Sequence, residues 1–539
     1  MTIPSMIYTH SNQPLEMGCE MVNSSDLLPV EGCSRRRFGG AVLAAAAASA
    51  FPFQAFSQTL PKRGGRVRLA LAQQSTNDTF DSAKFTNAND YIRGSSLYSY
   101  LVRIDAHGAA QPEVAISWEP SADARKWTFK IRPGIKFSDG SALRLEDIVF
   151  SVMRHKDAAV ASSAKQLVQT VESVVADGTS AVVVTLSEPN VDFPILMGSL
   201  QFALVKAGTT DFSKPIGTGP FILKSFQPGI RTTLARNPGY WREGRPYIDE
   251  LEMFSITDAS ARANALLAGD VEMITDLRGA GIDQVKANSA TRAFVTPSTR
   301  YTAFQLAVDQ PPGDKSDLGL ALSHLLDRQR ILDTVLKGYG EIANDHPIGK
   351  SSPFFNTSLP QRQLDLDKAK FHIGRSGIGQ APVEISVSEG VVYSVEMGQI
   401  LQREGSRAGL NIQLRREPTD SYWTAVAGKR AIFATNFFAR PTYNLLLSLT
   451  WKTGSQWNYS HFSNPSLDKL IDATRSTLDV EKRKAMYAEI QSTIHNSGAI
   501  AMPCFLSYVD GVSASVNGLV PNPTGNLGGF RFSDEIWIS

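Results

Sequence analysis

The segment from residue 383 to residue 415 constrains the fold of this chain more than any other feature. Residues 383–387 have the pattern of a strand, residues 395–407 that of a helix ended by Gly409, and residues 412–415 that of a second strand. Two strands joined by a helix of this length pair in parallel, because the helix crosses over the face of the sheet. The segment therefore predicts an α/β fold.

Other segments repeat this mixture of strands and helices along the chain. At 539 residues the chain exceeds what one hydrophobic core usually serves, so we expect two or three lobes. No fixed-period repeat and no obvious linker occurs, which indicates that the chain crosses between lobes several times. The residue patterns predict strands at 67–72, 127–132 and 181–186, a hairpin from 221–223 and 232–234, and helices at 145–153, 259–268, 318–336, 465–476 (capped by Asn464) and 479–496.

The first 57 residues have the features of an export signal. Three arginines, 35–37, precede an uncharged stretch of small and apolar residues, 39–50, and residues 55–57 supply a small-x-small cleavage pattern. Paired arginines favour the twin-arginine pathway, so we expect residues 1–57 to be removed and the mature protein to be periplasmic. The apolar stretch is shorter than the roughly 20 residues that a membrane-spanning helix needs. The alternative is an alanine-rich N-terminal helix in which the arginines occur by chance.

The charge and the cysteine content exclude further classes of protein. The net charge is +2 and no basic run with interleaved aromatic residues occurs, which argues against nucleic acid as a partner. Cys19 and Cys33 belong to the predicted signal, and Cys33 precedes the apolar stretch, where it is misplaced for lipid attachment. Cys504 alone would remain, so the mature protein cannot form an intramolecular disulfide and depends on its hydrophobic cores.

The sequence lacks the motifs of a secreted hydrolase, which is the least favoured alternative. Neither Gly-x-Ser-x-Gly nor His-Glu-x-x-His occurs, and the eight histidines are scattered, without a pair at metal-ligand spacing on one helix. Gly217-x-Gly219 continues into Pro220, so a dinucleotide-binding loop is not expected. We expect no catalytic residue, no metal and no cofactor, since nickel or haem would need a cluster of His or Met residues.

Four sequence blocks occur in a fixed order downstream of the predicted signal. They comprise Trp127 to Gly140 with Glu146 to Ser151, Pro215 to Pro220 with Arg236 to Trp241, Ala321-Leu322 through Asp327-Arg328 to Gly338, and Asn464 to Leu470. Together the blocks resemble the family 5 extracellular solute-binding proteins, the oligopeptide-, dipeptide- and nickel-binding components of ABC importers. The aromatic residues in these blocks are expected to pack in cores, because aromatic residues that alternate along strands usually point inward: Trp127, Phe129, Phe137, Tyr240 and Trp241.

The resemblance implies a bilobal periplasmic-binding-protein fold of type II, in the large class that has an inserted subdomain and mixed sheets flanked by helices. It also implies a monomeric periplasmic component of an ABC importer, which captures a small polar solute in the interlobe cleft by clamshell closure and delivers it to an inner-membrane permease and its ATPase. A periplasmic sensor or chaperone-type binding protein of the same fold is the alternative. The implied division places the first lobe at 58–100, 214–299 and 503–539, the inserted subdomain at 101–213, and the second lobe at 300–502.

Residues 436–444 match a stretch that carries, in peptide-binding relatives, an aspartate for the peptide's amino terminus. No acid occurs here between Asp420 and Asp468, and Arg440 stands where the acid is expected. A guanidinium binds a carboxylate or phosphate bidentately, so we hypothesise an anionic, peptide-like or opine-like ligand. The alternative is that Arg440 caps a loop or pairs with a surface acid. Further candidates for ligand contact are Asn436, Tyr443, Trp423, Trp451 and Trp457 in this region, and Ser75, Thr76 and Asn77 after the first strand, where open α/β sheets bind ligands.

Overall fold

The computed structural model describes residues 60–73, 75 and 77–539, so the predicted signal segment and Thr76 lie outside the described residues. None of the described helices is both long and apolar enough to cross a membrane. The strands are β1 (Arg66–Leu71), β2 (Val102–Ile104), β3 (Ala110–Pro112), β4 (Ala115–Pro120), β5 (Lys126–Ile131), β6 (Val171–Asp177), β7 (Ala181–Leu186), β8 (Phe221–Gln227), β9 (Arg231–Arg236), β10 (Glu250–Ser255), β11 (Met273–Ile274), β12 (Thr291–Leu306), β13 (Gly340–Ile342), β14 (Val383–Val387), β15 (Ile412–Arg416), β16 (Ile432–Phe437), β17 (Ile500–Ser513), β18 (Val516–Asn517) and β19 (Trp537–Ile538). The α-helices are α1 (Ala88–Leu97), α2 (Leu145–Met153), α3 (Phe193–Leu196), α4 (Ala259–Leu267), α5 (Ala280–Ala287), α6 (Ser316–Leu325), α7 (Arg328–Arg330), α8 (Leu366–Ser376), α9 (Ser394–Ala408), α10 (Tyr422–Ala425), α11 (Tyr443–Thr450), α12 (Pro465–Ser476), α13 (Val480–Asn496) and α14 (Asn526–Gly529).

The largest sheet is mixed and has the strand order β15-β14-β16-β12-β17-β11-β1-β10-β9-β8, with β13 added beside β17. β14 pairs in parallel with β15, with Val383 opposite Ile412, and α9 connects the two strands. The α/β fold and the parallel crossover predicted from residues 383–415 are therefore confirmed.

β12 and β17 are the long central strands of this sheet, and they pair antiparallel. Their register shifts between Thr296 and Arg300. On one side of the shift Phe294 packs in a core with residues of β1 and β10, and on the other side Phe304 packs in a separate core with residues of β14, β16 and α9. The two strands therefore join two hydrophobic cores.

A separate four-stranded antiparallel sheet, in the order β4-β5-β7-β6, has a core of its own. Trp127, Phe129 and Phe137 are almost completely buried, which confirms the core prediction for these three aromatic residues. Tyr240 and Trp241 are only half-buried. Their hydroxyl and indole N–H groups donate hydrogen bonds to other side chains, as the polar ends of these rings require.

Gly217 and Gly219 lie against the backbone at the end of α1. A Cβ on Gly217 would lie 2.0 Å from the carbonyl oxygen of Leu97, and a Cβ on Gly219 would lie 2.4 Å from the carbonyl carbon of the same residue. The N–H of Gly219 also donates to the Leu97 carbonyl at 3.0 Å. Only glycine fits this approach of two backbone segments.

The prediction of one continuous helix over residues 318–336 is wrong. α6 ends at Leu325, α7 starts at Arg328 with Asp327 as its N-cap, and a π-helical turn completes the segment. The break brings the side chain of Arg328 into the interior, where its Nη2 contacts both carboxylate oxygens of Asp345 at 2.8 Å. This buried ion pair, formed with a residue outside the segment, overrides the local helical pattern.

Candidate functional site

A cavity of about 490 Å³ lies where several distant segments of the chain meet. A concave space of this size with a mixed polar and apolar lining is typical of a site for a small molecule. Its walls come from the segment after β1 (Gln73), the start of α1 (Asn89) and the loop after β16 (Arg440). The register shift of β12 (Arg300) and the facing part of β17 (Tyr508) complete them.

Arg440 lines the cavity from the loop that follows β16. The central carbon of its guanidinium lies 4.8 Å from the ring centroid of Trp457, a stacking geometry that arginine favours. Its Nε has no hydrogen-bond partner among the described residues, and no described carboxylate forms an ion pair with it. Burial lowers the pKa of Arg440, and the groups that oppose this are the phenols of Tyr91, Tyr508 and Tyr301. Arg440 is half-buried, and enclosing a cation without an anionic partner is unfavourable, so this guanidinium is suited to an anion from outside the chain.

Arg300 is a second guanidinium at the same cavity, located directly after the register shift of β12. Its Nη2 donates to the carbonyl oxygen of Ser507 at 2.7 Å, and its central carbon lies 4.2 Å from the ring centroid of Tyr508. Its Nε has no hydrogen-bond partner in the described chain, and it has no ion pair with a described carboxylate. Burial raises the pKa of Tyr508, while Arg300 and Arg440 both act to lower it. Both cations therefore lie near one buried phenol.

The other charged groups at the cavity are already paired. Asp276 is the one carboxylate among the described lining residues, and its two oxygens contact Nε and Nη2 of Arg278 at 2.8 Å each. Nη1 of Arg531 binds a carboxylate oxygen of Glu113 at 2.8 Å. The cavity consequently has an excess of positive charge, which comes from the two unpaired arginines.

Amide side chains of Asn89, on α1, and Gln201 line one part of the cavity. Nδ2 of Asn89 donates to the carbonyl oxygen of Gln73 at 2.7 Å, whereas Oδ1 of Asn89 is buried without a partner in the described residues. Nε2 of Gln201 donates to the hydroxyl of Tyr91 at 3.0 Å. Since an amide offers both donors and acceptors, this wall is suited to hydroxyl or amide groups of a polar ligand.

Metal ligands are not assembled at this cavity. Among the described residues, no group of three or more His, Cys, Asp or Glu side chains could hold a metal ion. His155, His324 and His346 are dispersed, and burial lowers the pKa of each to between about 3 and about 4, which keeps them neutral at neutral pH.

Residues 109–459 match the family model described as bacterial extracellular solute-binding proteins, family 5 Middle. The match covers more than half of the chain. The chain belongs to this family.

Two relatives of this family 5 protein come from Escherichia coli (strain K12). Its dipeptide-binding protein is 25% identical, over 85% of this chain and 92% of the relative. Its nickel-binding periplasmic protein is 25% identical, over 78% of this chain and 85% of the relative.

Solved structures show the fold. The PBP AgaA in complex with agropinic acid from A. tumefaciens R10 has a TM-score of 0.72 at 19% identity, covering 88% of this chain and 99% of that one. The ABC transporter substrate binding protein CtaP from Listeria monocytogenes has a TM-score of 0.80 at 21% identity, covering 88% and 100%. The family 5 protein therefore has the predicted bilobal fold of periplasmic binding proteins, with mixed sheets flanked by helices.

Three of the predicted aromatic contacts lie away from the cavity. Trp451 is completely buried and its ring packs edge-on against Phe462. Tyr443 packs against the same core, which α11, α12 and α13 form. Trp423 is partly exposed and tilts against Tyr459. Packing of large apolar rings with each other accounts for these positions.

Of the predicted polar contacts near the strand ends, Asn436, Ser75 and Asn77 do not line the cavity. Asn436 lies within β16, opposite Thr302 of β12, and does not line the cavity. Oγ of Ser75 accepts a hydrogen bond from the backbone N–H of Asn77 at 3.1 Å, which forms a local turn outside the cavity lining. Thr76 is outside the described residues.

The lining residues that the sequence analysis missed include Gln73, Asn89, Gln201, Arg300 and Tyr508. Gln73 follows the first strand closely, two residues before the predicted contact at Ser75. Arg300 is a cation that directly precedes a mostly apolar strand segment, and this position was a usable signal for a functional role. Nothing in the local pattern around Tyr508 or Asn89 separates them from ordinary strand and helix residues.

Proposed function

We propose that this family 5 protein is the periplasmic substrate-binding component of an ABC importer, and that its ligand is a small anionic solute bound by Arg440. The observation that carries the proposal is the unpaired guanidinium of Arg440, stacked on Trp457 in the cavity. A carboxylate can accept two parallel hydrogen bonds from such a group. Support for a small polar solute comes from relatives named as dipeptide-binding and nickel-binding proteins and from the agropinic acid complex of AgaA.

The charges at the cavity do not favour a peptide held through its amino terminus. Asp276 is engaged by Nε and Nη2 of Arg278, and the unpaired groups are cations, which repel an ammonium. A peptide-like ligand would bind through a carboxylate. An opine-like solute, which joins an amino acid to a sugar or a keto acid, would present a carboxylate to Arg440 and hydroxyl or amide groups to Asn89 and Gln201.

In this proposal the signal of residues 1–57 directs export by the twin-arginine pathway. The first lobe comprises 58–100, 214–299 and 503–539, with the subdomain 101–213 inserted in it, and the second lobe comprises 300–502. The cavity lining supports this division, because Gln73 and Asn89 would belong to one lobe and Arg440 to the other. The monomer captures its solute by closure of the lobes and delivers it, without chemical change, to the permease and its ATPase.

Isothermal titration calorimetry of the purified mature protein tests the proposal. The ligands are agropinic acid, galactonate and the dipeptide Ala-Gln, and Ala-Gln amide serves as the analogue without a carboxylate. We expect Arg440→Met to weaken binding of the acids by at least about 30-fold, because loss of one partner of a buried charge pair costs about 2 kcal/mol or more.

The matched control is Arg125→Met, which removes an exposed guanidinium outside the cavity lining. This variant should bind the acids with unchanged affinity. Unchanged affinity of Arg440→Met for every acid that binds, or tighter binding of the amide than of the acids, would contradict the proposal.

A further inference from the structure

The cavity presents two unpaired guanidiniums, and the second one narrows the class of solute. Resting on the function proposed above, we infer that the protein selects a dianionic solute, with one acidic group bound by Arg440 and the other by Arg300.

Arg300 retains the donors that such a role requires. Of the five N–H donors of its guanidinium, the structure uses one, on Nη2, for the carbonyl oxygen of Ser507. The Nε donor is buried and has no partner in the described residues. The bond to Ser507 and the stacking on Tyr508 hold the planar group in place, so an acidic group could bind without a large loss of side-chain freedom.

The charge balance of the cavity requires a second negative group. Asp276 is occupied by Arg278, and Arg531 by Glu113, so neither pair offsets the charge of Arg300 or Arg440. A monoanion would neutralise one guanidinium and leave the other desolvated without a partner once the cavity is filled.

Tyr508 cannot supply the missing negative charge. Burial raises the pKa of its phenol, in spite of the nearby Arg300 and Arg440. At neutral pH the side chain is therefore uncharged, and it lies near both cations without neutralising either. A solute with two acidic groups is the complement of this arrangement.

The body of the solute faces a wall of amides. The unpartnered Oδ1 of Asn89 is an acceptor and calls for a hydroxyl or N–H donor on the ligand. Sugar diacids, dicarboxylic opines and dipeptides with an acidic second residue all combine two carboxylates with such a donor. Monocarboxylic counterparts of the same compounds keep the donor and lose one charge.

Calorimetry with matched ligand pairs tests the inference. The pairs are galactarate and galactonate, and Ala-Glu and Ala-Gln. In at least one pair we expect the diacid to bind the wild-type protein at least about tenfold more tightly than the monoacid.

Two substitutions locate the origin of that preference. Arg300→Met should weaken binding of the diacid by at least about tenfold. It should not weaken binding of the monoacid, because it removes the guanidinium that a bound monoanion leaves desolvated without a partner. Arg300→Lys keeps the charge without the planar fork, so it should retain part of the preference and serves as the second test if Arg300→Met does not fold.

The outcomes separate this inference from the proposal on which it rests. The dianion inference is overturned if the wild-type protein binds no diacid more tightly than the matching monoacid. It is also overturned if the preference for the diacid is undiminished in Arg300→Met. Monoacids that bind through Arg440 without any preference for diacids reject the inference and leave the proposed function in place. Acids whose affinity is unchanged by Arg440→Met reject the proposed function itself.

Discussion

The ion pair between Asp192 and Arg483 joins segments that are 291 residues apart in the chain. Nη2 of Arg483, on α13, lies 2.8 and 2.9 Å from the two carboxylate oxygens of Asp192, which directly precedes α3. The two side chains are only 10% and 9% exposed. The guanidinium carbon also lies 4.9 Å from the ring centroid of Phe354. Removing one partner of such a buried pair leaves an unpaired buried charge, which costs about 3–5 kcal/mol.

We therefore expect Arg483→Met to lower the free energy of unfolding in urea by about 3–5 kcal/mol. The alternative outcome is that the α3 region separates from α13, which returns the unpaired carboxylate of Asp192 to water. Separation would appear as a larger radius of gyration in small-angle X-ray scattering. The matched control is Lys484→Met at the next position, where an exposed ion pair with Glu481 is lost and the change should stay below about 0.5 kcal/mol.

A double substitution tests the cause assigned to this loss. Adding Asp192→Leu to Arg483→Met removes the stranded carboxylate and replaces the pair with apolar groups, so most of the stability should return. The reasoning is refuted if Arg483→Met costs less than about 1 kcal/mol with an unchanged radius of gyration, or if the double variant is no more stable than the single one.

Two further predictions concern the core of the protein. Gly219→Ala would place a methyl group 2.4 Å from the carbonyl carbon of Leu97, so it should lower the free energy of unfolding in urea by at least about 1–3 kcal/mol. The control is Gly239→Ala, whose new methyl group would have its nearest contact at 3.5 Å and should change the stability little. Equal losses of stability in the two variants would contradict the steric argument. Burial raises the pKa of Asp510 to about 6, well above its unfolded value, so the folded form binds this proton more tightly. The free energy of unfolding should therefore contain a contribution that is full below about pH 4 and is lost, by about 3 kcal/mol, as the pH rises through about 6. The Asp510→Asn variant should lack this decline when its unfolding in urea is measured across the same pH range. If the wild type and the variant lose stability in parallel as the pH rises, the decline does not come from Asp510.

Elements whose signals are local could be predicted from the sequence. The crossover of β14, α9 and β15 follows from the residue periodicity and from Gly409, which adopts a left-handed conformation at the helix end. Asn464 and Asp479 cap α12 and α13 with side-chain oxygens that accept backbone N–H bonds, as short polar residues before an apolar pattern predict.

The candidate site was less accessible to prediction, because it depends on pairing over long distances. Arg300 contacts Ser507 across 207 residues, and only the pairing of β12 with β17 reveals that it borders a cavity. The division of the predicted helix 318–336 has the same origin, since the ion pair of Arg328 with Asp345 lies outside the pattern that defines the helix. Arg440 was found because the family resemblance places it where peptide-binding relatives carry an aspartate, and no acid occurs between Asp420 and Asp468.

The register shift of β12 has a mechanical consequence. β12 and β17 join the two cores, so these two strands would have to bend if the lobes close as proposed. Arg300 stands at the edge of that shift and also at the wall of the cavity. A solute that binds and shifts the guanidinium of Arg300 would therefore act directly on the register shift of β12. Ligand specificity and lobe closure would then depend on the same residue. A substitution of Arg300 that adapts the cavity to a new solute would also change how easily β12 and β17 bend.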